Sequence, residues 1–239
     1  MKTLRKIALI ATMLYAIGFG KAYAQETSAN LSNTFISKNM FYGMNFESKP
    51  MSQLYAEVNK SDITGSIWTN YDINNTRLVE TDFKIKKNQS TEVGDATFTF
   101  NPAVAYYAFP NSTMGDAIEV MVEGGITGTA VDLSYKAGKV FGKDSGEGAM
   151  GIVGASKDVK LTENISVSGR IEAIYLDNYF CNQKGISSIA GTVGMTWTPT
   201  PKFNINASVT TQKRTNESFK DIVYNESWGT MTVNYNLAP

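Results

Sequence analysis

The segment Leu78–Lys87, LVETDFKIKK, decides the fold because charged residues alternate with less polar ones from Val79 to Lys86. One side carries Val79, Thr81, Phe83 and Ile85. The other side carries the charged residues Glu80, Asp82, Lys84 and Lys86. Successive side chains of a β-strand point to opposite faces, so a strand gathers these charges on one surface, whereas a helix would scatter them. The segment therefore predicts a strand with one apolar and one charged face.

The same alternation recurs along the chain and predicts about twelve antiparallel strands. The clearest further segments span residues 116–126, 130–137, 165–176, 203–212 and 230–237. Weaker segments span residues 30–42, 51–59, 62–72, 96–109, 148–158 and 187–198. Short links alternate with longer polar links, which is typical of an up-and-down meander. The link 87–95 departs from this rule, because its place in the order predicts a short turn.

The N-terminus has the pattern of an export signal. Basic residues at positions 2, 5 and 6 precede an apolar stretch, and Ala22-Tyr23-Ala24 matches a small-residue cleavage motif. We therefore expect residues 1–24 to be a cleaved signal peptide and residues 25–239 to form one domain. Four of the 22 basic residues lie in the signal and none of the 22 acidic residues does, so the mature chain has a net charge of −4. This acidic balance argues against a nucleic-acid partner.

The composition excludes much catalytic and metal chemistry. The chain has no histidine and a single cysteine, Cys181. Ser-His-Asp hydrolysis, His-dependent zinc sites and an intrachain disulfide are therefore impossible. A carboxylate-only site at Glu80 and Asp82 is the remaining catalytic alternative, but no nucleophile is oriented beside these residues. We expect no enzyme activity, no metal and no cofactor.

Two architectures use many alternating strands. A soluble sandwich buries its apolar faces between two sheets, whereas a membrane barrel turns them to lipid and encloses the polar faces. Export without disulfides, apolar faces of modest bulk and aromatic residues near strand ends favour the barrel. We expect an outer aromatic belt at Phe41, Tyr42, Trp68, Tyr71, Tyr106, Tyr107, Phe109, Tyr175 and Trp228. We expect an inner belt at Trp197, Phe203 and Tyr235.

Several short motifs support the same conclusion. They are Phe35–Gly43 (FISKNMFYG), Trp68–Asp72 (WTNYD), Glu80-Thr81-Asp82 and Tyr106–Asn111 (YYAFPN) followed by Glu119. Over most of the mature chain, the sequence resembles the TorF-type outer-membrane porins. The resemblance implies a small β-barrel in the bacterial outer membrane that acts as a porin. The predicted fold is all-β, a transmembrane antiparallel up-and-down β-barrel of about twelve strands.

In such a barrel the charged strand residues would face the lumen. They are Lys38, Glu57, Glu80, Asp82, Lys84, Lys86, Glu119, Glu123, Asp132, Lys136, Arg170 and Glu172. Their mixed signs indicate either a salt-bridge network that fills a structural barrel or a narrow hydrated passage for small polar solutes. The expected partner is outer-membrane lipid. A soluble secreted β-sandwich that binds carbohydrate or a surface partner is the alternative. The sequence leaves these possibilities and the oligomeric state open.

Overall fold

The computed structural model describes residues 27–41, 44–47, 49–110, 115–142 and 146–237, and the expected signal peptide lies outside these ranges. The strands are β1 (Thr27–Ile36), β2 (Asn39–Phe41), β3 (Met44–Glu47), β4 (Met51–Lys60), β5 (Ile63–Asp72), β6 (Arg77–Lys87), β7 (Ser90–Val93), β8 (Ala96–Ala108), β9 (Ala117–Thr127), β10 (Asp132–Gly142), β11 (Gly146–Lys160), β12 (Ile165–Asp177), β13 (Lys184–Thr200), β14 (Phe203–Arg214) and β15 (Glu226–Asn236). A single 3₁₀ turn, Glu217–Phe219, precedes β15. In the described part of the chain, no helix is long and apolar enough to cross a membrane.

Twelve strands form a closed antiparallel barrel. Each long strand pairs with the next along the chain, and β1 pairs with β15 to close the ring. Closure gives every barrel strand a hydrogen-bonded neighbour on both sides, which removes edges from the wall, and the short strand β7 pairs with β8 alone. The predicted up-and-down barrel is therefore confirmed. The alternative of a two-layer sandwich is wrong, because in the part of the chain that the structure describes the apolar faces of the wall are exposed and carry no second layer.

The link between β6 and β8 is a continuation of the wall. β6 pairs with β8 from Thr81↔Ala108 to Lys86↔Ala103, and β7 then pairs with the first residues of β8. Gly94, with φ +62°, supplies the left-handed conformation of the turn after β7. The sequence prediction expected a short turn here. Instead, β6 ends at Lys87, and β7 follows it and pairs with the first residues of β8, so the hairpin continues past the end of the β6–β8 pairing.

The outside of the barrel is apolar. Strand β9 shows the pattern, because Ile118 and Val120 are exposed while Glu119 and Met121 are buried. On β13, Val193 is 65% exposed. A continuous exposed surface of this kind is unfavourable in water but suits the hydrocarbon of a bilayer. The strands therefore turn their polar faces inward, as the sequence pattern predicts.

The predicted aromatic belts hold only in part. Tyr175, Trp197 and Tyr235 are exposed on the outer surface. Tyr42 lies outside the described residues. The prediction is wrong for Trp68, which shares the inward face of β5 with Ser66 and lines an internal cavity. It is also wrong for three others, which lie inside the barrel. These are Tyr107, Phe109 and Trp228.

Candidate functional site

The lumen is divided into a charged half and a neutral half. The charged half is built by β4–β6 and β8–β10. Eight of the predicted charges lie on its inward faces: Glu57, Glu80, Asp82, Lys84, Lys86, Glu119, Glu123 and Lys136. They converge because strand alternation repeats on neighbouring strands in register. This half holds most of the ionisable side chains that face the described lumen.

Glu123 is the centre of the lower part of the charged half. Its carboxylate lies 3.2 Å from Lys84 Nζ and 3.3 Å from Lys86 Nζ. Glu57 accepts a hydrogen bond from the Tyr55 hydroxyl and another of 2.9 Å from Asn59 Nδ2. Ion pairs and neutral donors therefore stabilise these two acids in the wall.

Three acids form the upper part, which we term the upper carboxylates: Glu80, Asp82 and Glu119. Glu80 is 6% exposed and Glu119 is fully buried. The Tyr107 hydroxyl donates to Glu119, and a Cβ at Gly138 would lie 2.1 Å from Glu119 Oε1, so glycine makes room for the carboxylate. One oxygen of each upper carboxylate is buried without a hydrogen-bond partner among the described residues. The acids therefore retain acceptor capacity inside the barrel.

Lys136 connects the two parts. Its ammonium group interacts electrostatically with Glu119, Glu123 and Asp82. An internal cavity of about 190 Å³ lies beside it. The cavity is lined by Tyr55, Ser66, Trp68, Asp82, Lys84, Ala105, Tyr107, Met121 and Lys136. The arrangement offers charged and aromatic surfaces to a small polar solute.

The neutral half is built by β13–β15 and β1. Hydroxyl and amide side chains pair across these strands: Thr34 with Thr232 at 2.8 Å, Thr192 with Thr210 at 2.8 Å, Ser208 with Thr230 at 2.6 Å, Asn206 with Thr196 at 2.8 Å and Asn234 with Asn204 at 2.7 Å. These groups are wettable and uncharged. The sequence prediction concentrated on charged residues and did not single out this surface.

The remaining predicted charges lie apart from these eight residues. Lys38 lies beyond the end of β1, where its ammonium group is 3.0 Å from Glu226. Arg170 pairs with Glu172 at 2.6 Å on the inward face of β12. Asp132 begins β10 at the end of the barrel that carries the short turns. Lys38 therefore lies at the opening formed by the longer connections and not on the strand wall.

An apolar loop cluster occupies part of the lumen near that opening. We use this term for Met44, Tyr179, Phe180, Cys181, Phe219, Ile222 and Val223, which come from three connections between strands. They pack against the inward residues Ala103, Ala105, Tyr107, Ala117, Met121, Val140, Met150, Ile174 and Leu176. The Phe180 ring meets Tyr107 edge to face, with ring centroids 6.3 Å apart. The connections therefore fold into the barrel and narrow it.

Sequence reasoning missed the loop cluster. The usable signal was the apolar residues at inward positions of β10–β12, such as Val140 and Leu176, where a water-filled wall would carry polar groups. Aromatic residues in the connections, Tyr179 and Phe219, supply the matching surface. In the described residues, no group of three or more histidine, cysteine or acidic side chains is placed to hold a metal ion.

The comparisons with known proteins identify the type of barrel. No known family model matches the chain, and no curated protein matches it. The fold is similar to the KdgM porin in complex with disordered oligogalacturonate, with a TM-score of 0.55 and 9% identity over 87% of this chain and 98% of that one. It is also similar to an outer-membrane channel from Pseudomonas putida F1, with a TM-score of 0.54 and 7% identity over 91% of this chain and 97% of that one.

At these identities the likeness establishes the fold alone. The chain has the β-barrel fold of outer-membrane porins and channels. The coarser part of the sequence-based resemblance, a porin-type barrel, is therefore confirmed. Membership of the TorF-type family stays a prediction.

Proposed function

We propose that this chain is an outer-membrane channel that gives small polar solutes a narrow passage. The observation that carries the proposal is a closed barrel with an apolar exterior and a charged, hydroxyl-lined interior. Charges inside a membrane protein are costly unless they pair or face water. Here, ion pairs such as Lys84–Glu123 coexist with buried carboxylate oxygens that have no partner among the described residues. A water-filled lumen beside the wall would lower the energetic cost of these charges.

The proposed location is the bacterial outer membrane, with lipid contacting the exposed apolar band. Residues 1–24 direct export and are removed, and the barrel domain begins at Gln25. N-terminal sequencing of protein purified from outer membranes tests this boundary. A mature chain that begins at Gln25 supports it, and one that retains residues 1–24 contradicts it.

Two features make the passage narrow. Barrels of about eight strands are filled by side chains, whereas those with 16–18 strands hold a water channel, and this barrel lies between them. The loop cluster also fills part of one opening, with Tyr179 and Phe219 fully buried. Small solutes therefore suit the lumen better than folded or bulky ones.

The solute class differs from that of the structurally similar KdgM porin. The structure of that porin was determined with oligogalacturonate, an anionic sugar chain. The eight charges that converge in the charged half of this lumen are five acids and three lysines. An excess of acids disfavours a polyanion, so this lumen suits such a sugar chain poorly.

A structural barrel with a filled lumen is the second candidate. The loop cluster favours it, because Phe219 and Val223 are fully buried within the described barrel. An enzyme is not favoured. The chain has no histidine, and the similar barrels are described as a porin and a channel. Across the strands Glu80 and Asp82 lie opposite Asn70 and Trp68, neither of which is a nucleophile.

Two measurements test the proposal in sequence. Heat-dependent mobility on a detergent gel first reports whether the purified chain is a closed barrel, because a barrel stays compact until boiled. Liposome swelling then reports passage, using a size series of neutral polar solutes and boiled protein as the control. We expect rapid swelling with the smallest solutes and a steep decline with size. A folded barrel that gives no swelling with any solute would refute the channel and favour the structural barrel.

A further inference from the structure

We infer, on the basis of the proposed channel, that the passage prefers cations over anions and that the upper carboxylates set this preference. Glu80, Asp82 and Glu119 project into the lumen from β6 and β9. Only the inward face of β8, with Ala105 and Tyr107, lies between them. The three acids therefore occupy one region of the wall.

The first support is the unmet hydrogen-bonding capacity of these acids. Glu80 Oε1, Asp82 Oδ1 and Glu119 Oε1 are buried and have no hydrogen-bond partner among the described residues. Glu80, at 6% exposure, is held inside the barrel. Buried carboxylate oxygens are costly unless a donor or a positive charge approaches them. No donor in the described wall offsets the field of these oxygens, so their field acts on ions in the adjoining lumen.

The second support is the balance of charge. Glu123 already binds both Lys84 and Lys86, which leaves Lys136 as the ammonium group that interacts with Asp82 and Glu119. Three upper carboxylates thus share one lysine. Glu80 and Asp82 lie within hydrogen-bonding reach of each other. A proton shared by that pair would still leave the eight converging residues with four negative and three positive charges.

The third support is that the other predicted lumen bases are paired with acids. The neutral half presents hydroxyl and amide pairs such as Thr192–Thr210. Arg170 is neutralised by Glu172, and Lys38 by Glu226. Low-dielectric walls focus the field of uncompensated charges into a narrow passage. Cations are therefore concentrated in the lumen and anions are depleted.

The inference concerns ions in transit and not a resident metal. No metal-holding group occurs in the described ranges, and the acids are spread over two strands that are not adjacent. A weak interaction also suits conduction, because an ion must leave the passage as readily as it enters. The ligand class is therefore small monovalent cations, including ammonium compounds that fit the lumen.

The test is the reversal potential of the full-length mature protein in planar bilayers under a potassium chloride gradient. The wild type should be more permeable to potassium than to chloride. The double variant Glu80→Gln/Asp82→Asn should lower the permeability ratio about three- to tenfold, since one unit charge about 6 Å from an ion in water changes its local concentration roughly threefold. Lys136→Gln should change the ratio in the opposite direction.

A matched control removes two acids from the outer surface. Glu147 and Asp177 face outward and pair with Lys139 and Lys184. The variant Glu147→Gln/Asp177→Asn should leave the permeability ratio unchanged. Heat-dependent mobility shows which variants fold. If the double acid variant does not fold, Lys136→Gln still tests the inference.

The possible failures are distinguishable. A folded protein that never conducts would refute the channel and the cation preference together. A conducting protein with equal or greater permeability to chloride would refute the cation preference alone. A wild-type preference for potassium that survives in both Glu80→Gln/Asp82→Asn and Glu119→Gln would show that other residues set the selectivity, which also overturns the inference.

Discussion

Removing the Phe219 ring tests whether the loop cluster closes one opening of the barrel. Phe219 ends the 3₁₀ turn Glu217–Phe219 and is fully buried. Replacing a buried phenylalanine by alanine typically costs about 3–5 kcal/mol. Since the ring packs in a connection and not in the strand ladder, this cost falls on the docking of the segment 215–225. At about 1.4 kcal/mol per factor of ten, the undocked population should rise roughly 140- to 3700-fold.

Proteolysis measures that population. Lys220 is exposed, but its backbone N–H donates to the Glu217 carbonyl, so trypsin needs the segment to open locally before it can cleave. We expect Phe219→Ala to accelerate cleavage after Lys220 by a factor within this range. The barrel should keep its heat-dependent mobility. In planar bilayers, the variant should also open for longer or conduct more.

The matched control is Phe100→Ala, which deletes the same ring from the outer surface, where Phe100 is 53% exposed. This variant should leave both cleavage and conductance unchanged. Equal cleavage rates for wild type and Phe219→Ala, or an equal acceleration in Phe100→Ala, would refute the docked loop cluster.

Three further predictions follow from the same geometry. Val193→Lys should destabilise the barrel by about 2–4 kcal/mol in lipid vesicles, whereas Thr192→Lys, on the opposite face of β13, should destabilise it much less. Urea unfolding measures the stability of both variants, and equal losses of stability would contradict the assignment of faces. Trp68→Ala should admit larger solutes in liposome swelling because the ring lines the internal cavity, and an unchanged size limit would place the constriction elsewhere. Cys181 should react slowly with maleimide at pH 8, because burial raises the pKa of its thiol and lowers the thiolate fraction. Phe219→Ala should accelerate this reaction. A wild-type rate equal to that of the denatured chain would argue against burial of the thiol.

The barrel was predictable because its signal is local and repeated. In Leu78–Lys87, alternate residues differ sharply in polarity, and the same rhythm in other segments predicted all twelve wall strands. Their ends were less predictable. The weak segment 30–42 was expected to be one strand, but β1 ends at Ile36 and a short hairpin, β2–β3, follows. Strand periodicity gives the face of a residue but not the point where pairing stops.

The interior was only partly predictable. Lys84, Lys86 and Glu123 lie on strands with strong alternation, so their shared inward face could be anticipated, but the ion pairs depend on the register between β6, β8 and β9. Trp68 was assigned to a belt by its distance from the strand end, whereas the pleat of β5 turns it into the lumen. An error of one position along a strand places a side chain on the opposite face.

The loop cluster lay beyond the reach of strand patterns. Tyr179 and Phe219 come from connections whose inward folding depends on tertiary contacts with residues such as Val140 and Leu176. Polar composition made these connections look like ordinary surface loops. Apolar residues at inward positions of neighbouring strands are the clue that transfers to other barrels, because they require a partner inside the lumen.

Single-channel recording of the purified barrel in a planar bilayer is the most direct test of the account. The account predicts discrete, small conductance steps from protein whose heat-dependent mobility shows it to be folded, because the proposed channel requires a water path beside the loop cluster. Folded protein that inserts and stays electrically silent, even after Phe219→Ala loosens the cluster, would contradict it.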